Sequence, residues 1–271
     1  MQNSEFRKGL VLAIILLFVG ACVIPSTVGF IEEKTTSTNA SYDGYIQDLI
    51  DNASVGDTIY VPSGMYYENI IINKSISLIG EDKNTTIIDG GGSGDIVRIT
   101  AYWVTISGFT IQYSGDGWNN AGITIRSEYN SITDNIIKNN VNGINLMDSN
   151  INITSNTISD NKEYGISSEG LYTNNIIMGN NITNNKYGIA LSGIYNKALE
   201  NNFINNKVQA FWVHILNGGK LGINKWKNNY WNRPRILPKL ILGIIGDPPS
   251  PNMIWFAIDW HPAQEPYDIE V

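Results

Sequence analysis

The chain has 271 residues, 42% of them hydrophobic and only 16% charged, which is enough apolar material for a sizeable core and excludes a disordered polyelectrolyte. Eighteen Lys and Arg against 25 Asp and Glu give a net charge of −7. That balance removes the counterion-release drive of nucleic-acid binding and argues against DNA or RNA as partners.

Residues Met1 to Gly29 place Arg7 and Lys8 before an apolar run, Leu10 to Val19, and then the small residues Ser26, Thr27 and Gly29. This is the order of a secretory signal peptide cleaved near Gly29, so a secreted or cell-surface location is expected. A retained anchor would need about 18 or more apolar residues, whereas Leu10 to Ile24 is short and interrupted by Gly20 and Ala21. No stable membrane insertion is expected after cleavage. Val19-Gly20-Ala21-Cys22 also has the form of a lipoprotein cleavage box, although Val23-Ile24-Pro25 continue the apolar run where a lipidated terminus turns polar. Cleavage leaves 16 basic and 24 acidic residues and removes Cys22, the single cysteine. Such a mature chain holds no disulfide, thiolate zinc site or nucleophilic Cys. Sequons occur at Asn39, Asn52, Asn73, Asn84, Asn152 and Asn181.

In the leader, residues 30–56, Tyr45 to Asn52 spaces Ile46, Leu49 and Ile50 as i, i+3, i+4, which predicts a short amphipathic helix. Short runs that suit strands follow: Thr58-Ile59-Tyr60-Val61, Ile70-Ile71-Ile72, Ile76-Ser77-Leu78-Ile79, Thr86-Ile87-Ile88, Ile96-Val97-Arg98-Ile99, Val104-Thr105-Ile106 and Phe109-Thr110-Ile111. Gln112 to Asn120 is longer than the equivalent stretch of later units and predicts a protruding loop carrying Asp116 and Trp118.

The next stretch repeats itself. Gly-Ile pairs recur at Gly122, Gly143, Gly165 and Gly188, in phase with Asn-x-Ile at Asn135, Asn156, Asn180 and Asn202. Of the 35 Asn in the chain, 28 lie between Asn119 and Asn232. A period of 21 to 23 residues filled with two-residue alternation means one solenoid coil per unit. Three inward columns are expected. The first is Ile123, Ile144, Ile166, Ile189 and Phe211; the second is Ile137, Ile158, Ile182, Ile204 and Trp226; the third is Ile132, Ile153, Ile177, Leu199 and Leu221. The predicted fold is all-β: a single-stranded right-handed parallel β-helix of about eight coils over residues 57–232, with coils about 4.8 Å apart. The Asn before each inward residue is read as structural, tolerating a left-handed bend and bonding to its equivalent one coil away. The helix caps one end, and residues 233–271, with Ile236 to Ile245 and Trp255 to Trp260 split by Pro248, Pro249 and Pro251, cap the other.

The residues from Tyr42 to about Trp231 resemble the pectin-lyase-like right-handed β-helix superfamily, in particular its NosD-like members of archaea and bacteria. The resemblance rests on Ile46-Gln47-Asp48-Leu49-Ile50 leading into Gly56-Asp57-Thr58-Ile59-Tyr60-Val61, on Gly64-Met65-Tyr66-Tyr67-Glu68-Asn69, on Leu78-Ile79-Gly80, and on Asn228-Asn229-Tyr230-Trp231. It implies the fold; function carries over less, because the superfamily spans lyases, hydrolases, esterases, epimerases and members without demonstrated catalysis.

The chemistry of a polygalacturonase is missing: no Gly-His-Gly and no Arg-x-Lys segment accompany clustered Asp, and His214 and His261 are the only histidines. Glu68, in the Gly64-x-Tyr66-x-Glu68 segment, is read as structural. One acidic stripe stands out, Glu128, Asp148 and Glu169 at the same turn of three successive units, with Arg126 beside it. Carboxylates that hold a calcium ion together with an Arg base would suit a polysaccharide lyase or epimerase. Copper handling would want clustered Cys, Met and His, but Met65, Met147, Met178 and Met253 lie coils apart. The leading expectation is an exported, non-catalytic protein that binds carbohydrate or a cell-envelope glycan through its solenoid wall, without a cofactor. Asp116, Trp118, Arg126, Glu128, Asp148 and Glu169 are its candidate contacts. The rival expectations are the calcium-assisted lyase or epimerase and a structural or adhesion module.

Overall fold

The computed structural model describes residues 41–42, 44–168, 170, 172–215, 223–247 and 250–269; the expected signal peptide, Cys22, Glu169 and Leu221 lie outside them. The chain winds in five-residue steps. Asn130-Ser131-Ile132-Thr133-Asp134 and Asn135-Ile136-Ile137-Lys138-Asn139 each give a three-residue strand with a fully buried middle Ile. Each step ends in one left-handed residue, Asp134 at φ 54° and Asn139 at φ 58°. Three residues alternate out, in, out; a single left-handed residue then turns the chain without breaking the stack.

Repeated coil after coil, these steps build three parallel walls. The first runs from Thr58–Val61 to Lys225–Lys227 through eight strands, so about seven full turns separate its ends. The second runs from Ser41–Tyr42 to Tyr230–Trp231, the third from Ile70–Ile72 to Lys239–Asp247 and Ser250–Asp259. Parallel strands joined by crossovers of one sense make a right-handed parallel β-helix. The third wall continues past residue 232, since Lys239–Asp247 adds in parallel to Val208–Ile215 and Ser250–Asp259 folds back antiparallel.

The interior is stacked aliphatic side chains, with register correcting the last member of the first expected column and the fourth member of the other two. Ile189 stands level with Ala210 rather than Phe211. Ile182 stands level with Phe203 rather than Ile204, and Ile177 with Ala198 rather than Leu199. Trp231 closes the second column and Trp226 the first-wall column. The slips begin where sequence offers two candidates in a row: Asn201-Asn202 and Ala210-Phe211 fit either register, and only the inter-coil bonds choose. The last coil fills its narrowing end with rings, Phe203 lying flat on Trp231 at 4.6 Å between centroids.

Three asparagine ladders lock the corners. In the middle one, Oδ1 of Asn156, Asn180, Asn201 and Asn229 accepts both the backbone N–H and the side-chain amide of the Asn one coil earlier, at 2.9–3.1 Å. The ladder member is Asn201, not Asn202. The left-handed residue also differs from expectation: it precedes the ladder Asn, at Asp134, Ser155, Gly179, Glu200 and Asn228. The ladder amide thus satisfies the N–H groups that the bend takes out of the walls. Glycine in each Gly-Ile pair answers to close approach, because a Cβ on Gly165 would lie 2.6 Å from the Gly188 carbonyl oxygen.

Helix α1, Tyr45–Asn52, closes the top with Ile46 and Ile50 fully buried. Its free N-terminal N–H groups are met from the second wall: Glu68 accepts from Ile46 N at 2.9 Å and Gln47 N at 3.0 Å. A carboxylate at the positive end of a helix is favourable, which gives Glu68 its structural role. At the bottom, Asp259 of the last strand is 0% exposed and ends the middle ladder. It accepts from the backbone of Asn228, Asn229 and His261, the Asn229 amide and the Trp231 indole.

Candidate functional site

The structure divides the expected site residues between two corners. Arg126, Glu128 and Asp148 lie where the third wall turns into the first. Asp116 and Trp118 lie at the other end of that wall, across the five residues Ala121–Ile125, about 17 Å at 3.3 Å per residue. Glu169 lies outside the described residues.

At the far corner the inserted loop is held down: the Asn142 amide donates to the Trp118 carbonyl and the Asn145 amide to that of Asn119. The Trp118 ring nevertheless stays 74% exposed. Asp116 pairs with Lys162 two coils on, and the hydrogen bond from Lys162, then its charge, holds the Asp116 carboxyl below the ordinary value. A cleft of about 540 Å³ opens beside this pair, lined also by Asp89, Tyr113, Asn139 and Asp160. Asp89 is already used, accepting from Gly91 N and the Gln112 amide.

At the near corner, strand register sets the acidic stripe. Ile125 is level with Leu146, so equal steps place Glu128 level with Ser149 and Asp148 level with Ser127. The two carboxylates are offset by one residue, and Asp148 accepts from Ser149 N at 2.8 Å. Among the described residues no group of three or more His, Cys, Asp or Glu is placed to hold a metal ion.

The same corner carries what sequence reasoning missed. Trp103 and Tyr129 occupy its left-handed position, at φ 60° and 62°. Their rings stack at 4.5 Å between centroids, 10° from parallel, and stay 66% and 43% exposed. A bulky residue held left-handed costs on the order of 1–2 kcal/mol, here with the ring left in solvent. Tyr102 is exposed beside them, level with Glu128, and Arg126 is exposed on the same turn. Further down the column come Asn150, Asn174 and Tyr195, all left-handed. The signal was in the sequence: Trp103, Tyr129 and Tyr195 each stand five residues before a second left-handed corner residue, Gly108, Asp134 and Glu200. Another ring pair, Tyr164 and Tyr187 on the third wall, is half-buried and reads as wall packing.

A stacked, parallel β-helix with a flat, solvent-facing aromatic pair at one corner defines the class: a solenoid that displays an extended surface on a rigid frame. Within that class the family is clear, since the model of the family described as "Periplasmic copper-binding protein (NosD)" matches residues 50–241, and the chain belongs to it. That description agrees with an extracytoplasmic location. No curated protein matches the sequence.

Similar solved structures include pectin methylesterase PemA from Erwinia chrysanthemi, 12% identical over 72% of this chain and 90% of that one, TM-score 0.44. The PL6 family alginate lyase AlyGC is 14% identical over 70% of this chain and 34% of its own, TM-score 0.46, so this chain spans about a third of that lyase. The A-module of the mannuronan C-5 epimerase AlgE4 from Azotobacter vinelandii is 12% identical over 68% and 81%, TM-score 0.32. The copper of the family description finds no fitting donor set among the described residues. Met65, Met147, Met178 and Met253 belong to separate coils, and His261 is exposed near the C-terminus.

Proposed function

We propose that this protein is an extracytoplasmic glycan-binding β-helix that holds a polysaccharide without cleaving it, along the corner that carries Trp103, Tyr129 and Tyr195. The exposed Trp103–Tyr129 stack carries the reading. Flat rings in water suit the C–H faces of a sugar, for the same reason that aromatic faces attract each other and cations. Arg126, Glu128 and the Asn150 and Asn174 amides beside them supply donors and acceptors for hydroxyl or carboxylate groups. Four coils separate Trp103 from Tyr195, about 19 Å at the strand spacing, so an extended oligosaccharide can lie along the column. The exposed Trp118 is a second contact for a longer chain.

The rival is a calcium-assisted lyase or epimerase working through Glu128, Asp148 and Glu169 with Arg126. To separate the two, the chain from Phe30 onward is incubated with neutral and acidic polysaccharides, with calcium or EDTA, and polymer size is followed by exclusion chromatography. Co-elution at unchanged polymer mass, indifferent to EDTA, is the expected result. A fall in polymer mass that Asp148→Ala abolishes would establish the lyase instead. Binding only to the host's own envelope and to no free glycan would leave the adhesion module.

A further inference from the structure

The C-terminal end of the solenoid has the wrong surface for a protein that ends in water. In the third wall the outward residues of the middle coils are polar, Arg98, Thr124, Asn145 and Ser167 in successive register. Of these only Arg98 is exposed; the same row turns apolar at Ala190 and Phe211, and in the last two strands it is apolar and open to solvent. Cross-strand partners share a face, so Leu242 with Phe256 and Ile244 with Ile254 form one apolar surface, extended by Leu240 with Ile258. Leu240, Leu242, Ile254 and Phe256 are each more than half exposed. On the opposite face of the final strand Met253 and Trp255 are exposed as well, and Ile236, Leu237 and Trp260 flank the hairpin in the open. Contiguous exposed apolar surface beyond a few hundred Å² marks an interaction site.

A second observation says what meets it. From residue 201 to 246 the sequence has seven Lys and Arg and no Asp or Glu, whereas residues 1–200 hold 11 basic and 20 acidic residues. Five of those cations are placed by the structure at this end. Lys225 and Lys227 line a recess of about 600 Å³ together with Ile223, Phe256, Trp260 and His261. Arg233 and Arg235 are close enough to Lys239 to push its ammonium below the ordinary value, after the larger effect of burial. Among the described residues none of the five makes an ion pair. The acids that follow are Asp247, Asp259, Glu265, Asp268 and Glu270. Asp259 is buried and bonded, and the segment with Asp268 runs along the second wall, where Tyr267 bonds to Asn202 and Asn228.

Unpaired cations around exposed Trp, Phe, Leu and Ile are the composition of a surface that sits in the headgroup region of an anionic bilayer: the rings and aliphatic groups enter the interface and the cations meet the phosphates. We propose that the hairpin Lys239–Asp247 and Ser250–Asp259, with Lys225, Lys227, Arg233 and Arg235, docks the solenoid end-on to an anionic membrane surface. Among the described residues no helix is long and apolar enough to cross the bilayer, so the contact proposed is with its surface. The solenoid then projects from the membrane with its aromatic corner facing the surrounding medium.

The test is flotation of the chain from Phe30 onward with vesicles of phosphatidylcholine alone or with a third phosphatidylglycerol. Wild-type protein is expected to float with the anionic vesicles at least tenfold more than with the neutral ones, and to fall off them as salt is raised. Trp255→Ser with Phe256→Ser, and separately Arg233→Gln with Arg235→Gln, should each lower that binding fivefold or more. Arg233 is exposed and Arg235 half-buried, and the second pair removes no apolar side chain, so it keeps the test valid if the first misfolds; unchanged far-ultraviolet dichroism certifies either. Equal recovery with neutral and anionic vesicles, or no recovery with both, would overturn the proposal. So would a dimer in light scattering that Trp255→Ser and Phe256→Ser dissolve, which would assign the apolar face to a second copy of the chain.

Discussion

At the scale of single residues, asparagine does two jobs that the sequence shows as one bias. A ladder Asn such as Asn180 donates its amide to Ile153 O, Met178 O and Asn201 Oδ1 while accepting from Asn156. A corner Asn such as Asn139 or Asn184 supplies the left-handed bend. The two jobs have different tolerances, since Asp134, Ser155 and Glu200 also serve as bends but only an amide can both donate and accept in the ladder. Removing a ladder amide strands the buried Asn156 N–H, at about 1–3 kcal/mol, and takes one hydrogen bond each from the Ile153 and Met178 carbonyls and the Asn156 and Asn201 side chains. Asn180→Ala is therefore expected to lose about 3 kcal/mol in urea denaturation and Asn180→Asp at least as much, while Asn184→Asp stays within about 0.5 kcal/mol of wild type. Equal losses at Asn180 and Asn184 would contradict this division.

At the scale of elements, the coil period, the strand type and both caps were legible, because alternation and helical spacing are local properties. Register near the end was not, for coil length varies: equivalent ladder positions are 26, 21, 24, 21 and 28 residues apart. The corner row stayed hidden for the same reason, since Trp103 stacks on Tyr129, and Tyr195 falls in line three coils further on, only once coils of unequal length are stacked. The acidic stripe, counted from the glycines alone, came out one residue offset between Glu128 and Asp148. Nor could sequence show that the C-terminal hairpin plugs the ladder through Asp259, a contact about 30 residues from its partners. Removing that carboxylate leaves five buried or half-buried donors without an acceptor. Asp259→Ala is expected to cost about 3 kcal/mol or more, with amide protection by hydrogen exchange lost first in residues 225–232 and 250–259. Uniform loss along the solenoid would show instead that the whole stack unfolds as one unit and the hairpin is no separate cap.

On the scale of the whole solenoid, the described residues from 41 on form a rod with two differently finished regions. Its corner carries exposed rings among polar groups, and its C-terminal end carries exposed apolar strands among cations. The acid-rich body keeps the remaining surface hydrated and gives the rod a charge polarity that the overall −7 conceals. Membership in a family described as periplasmic and an exposed aromatic corner are compatible with the proposed role, one protein that waits at an envelope and holds a polymer there.

The glycan-binding corner is tested most directly by affinity electrophoresis of wild type, Trp103→Ala and Trp118→Ala in gels containing each polysaccharide of a neutral and acidic panel. Retardation of wild type by at least one polymer is expected, reduced tenfold or more in apparent affinity by Trp103→Ala and only slightly by Trp118→Ala. Retardation that survives Trp103→Ala unchanged, or no retardation by any polymer, would contradict the assignment of the corner as the glycan site.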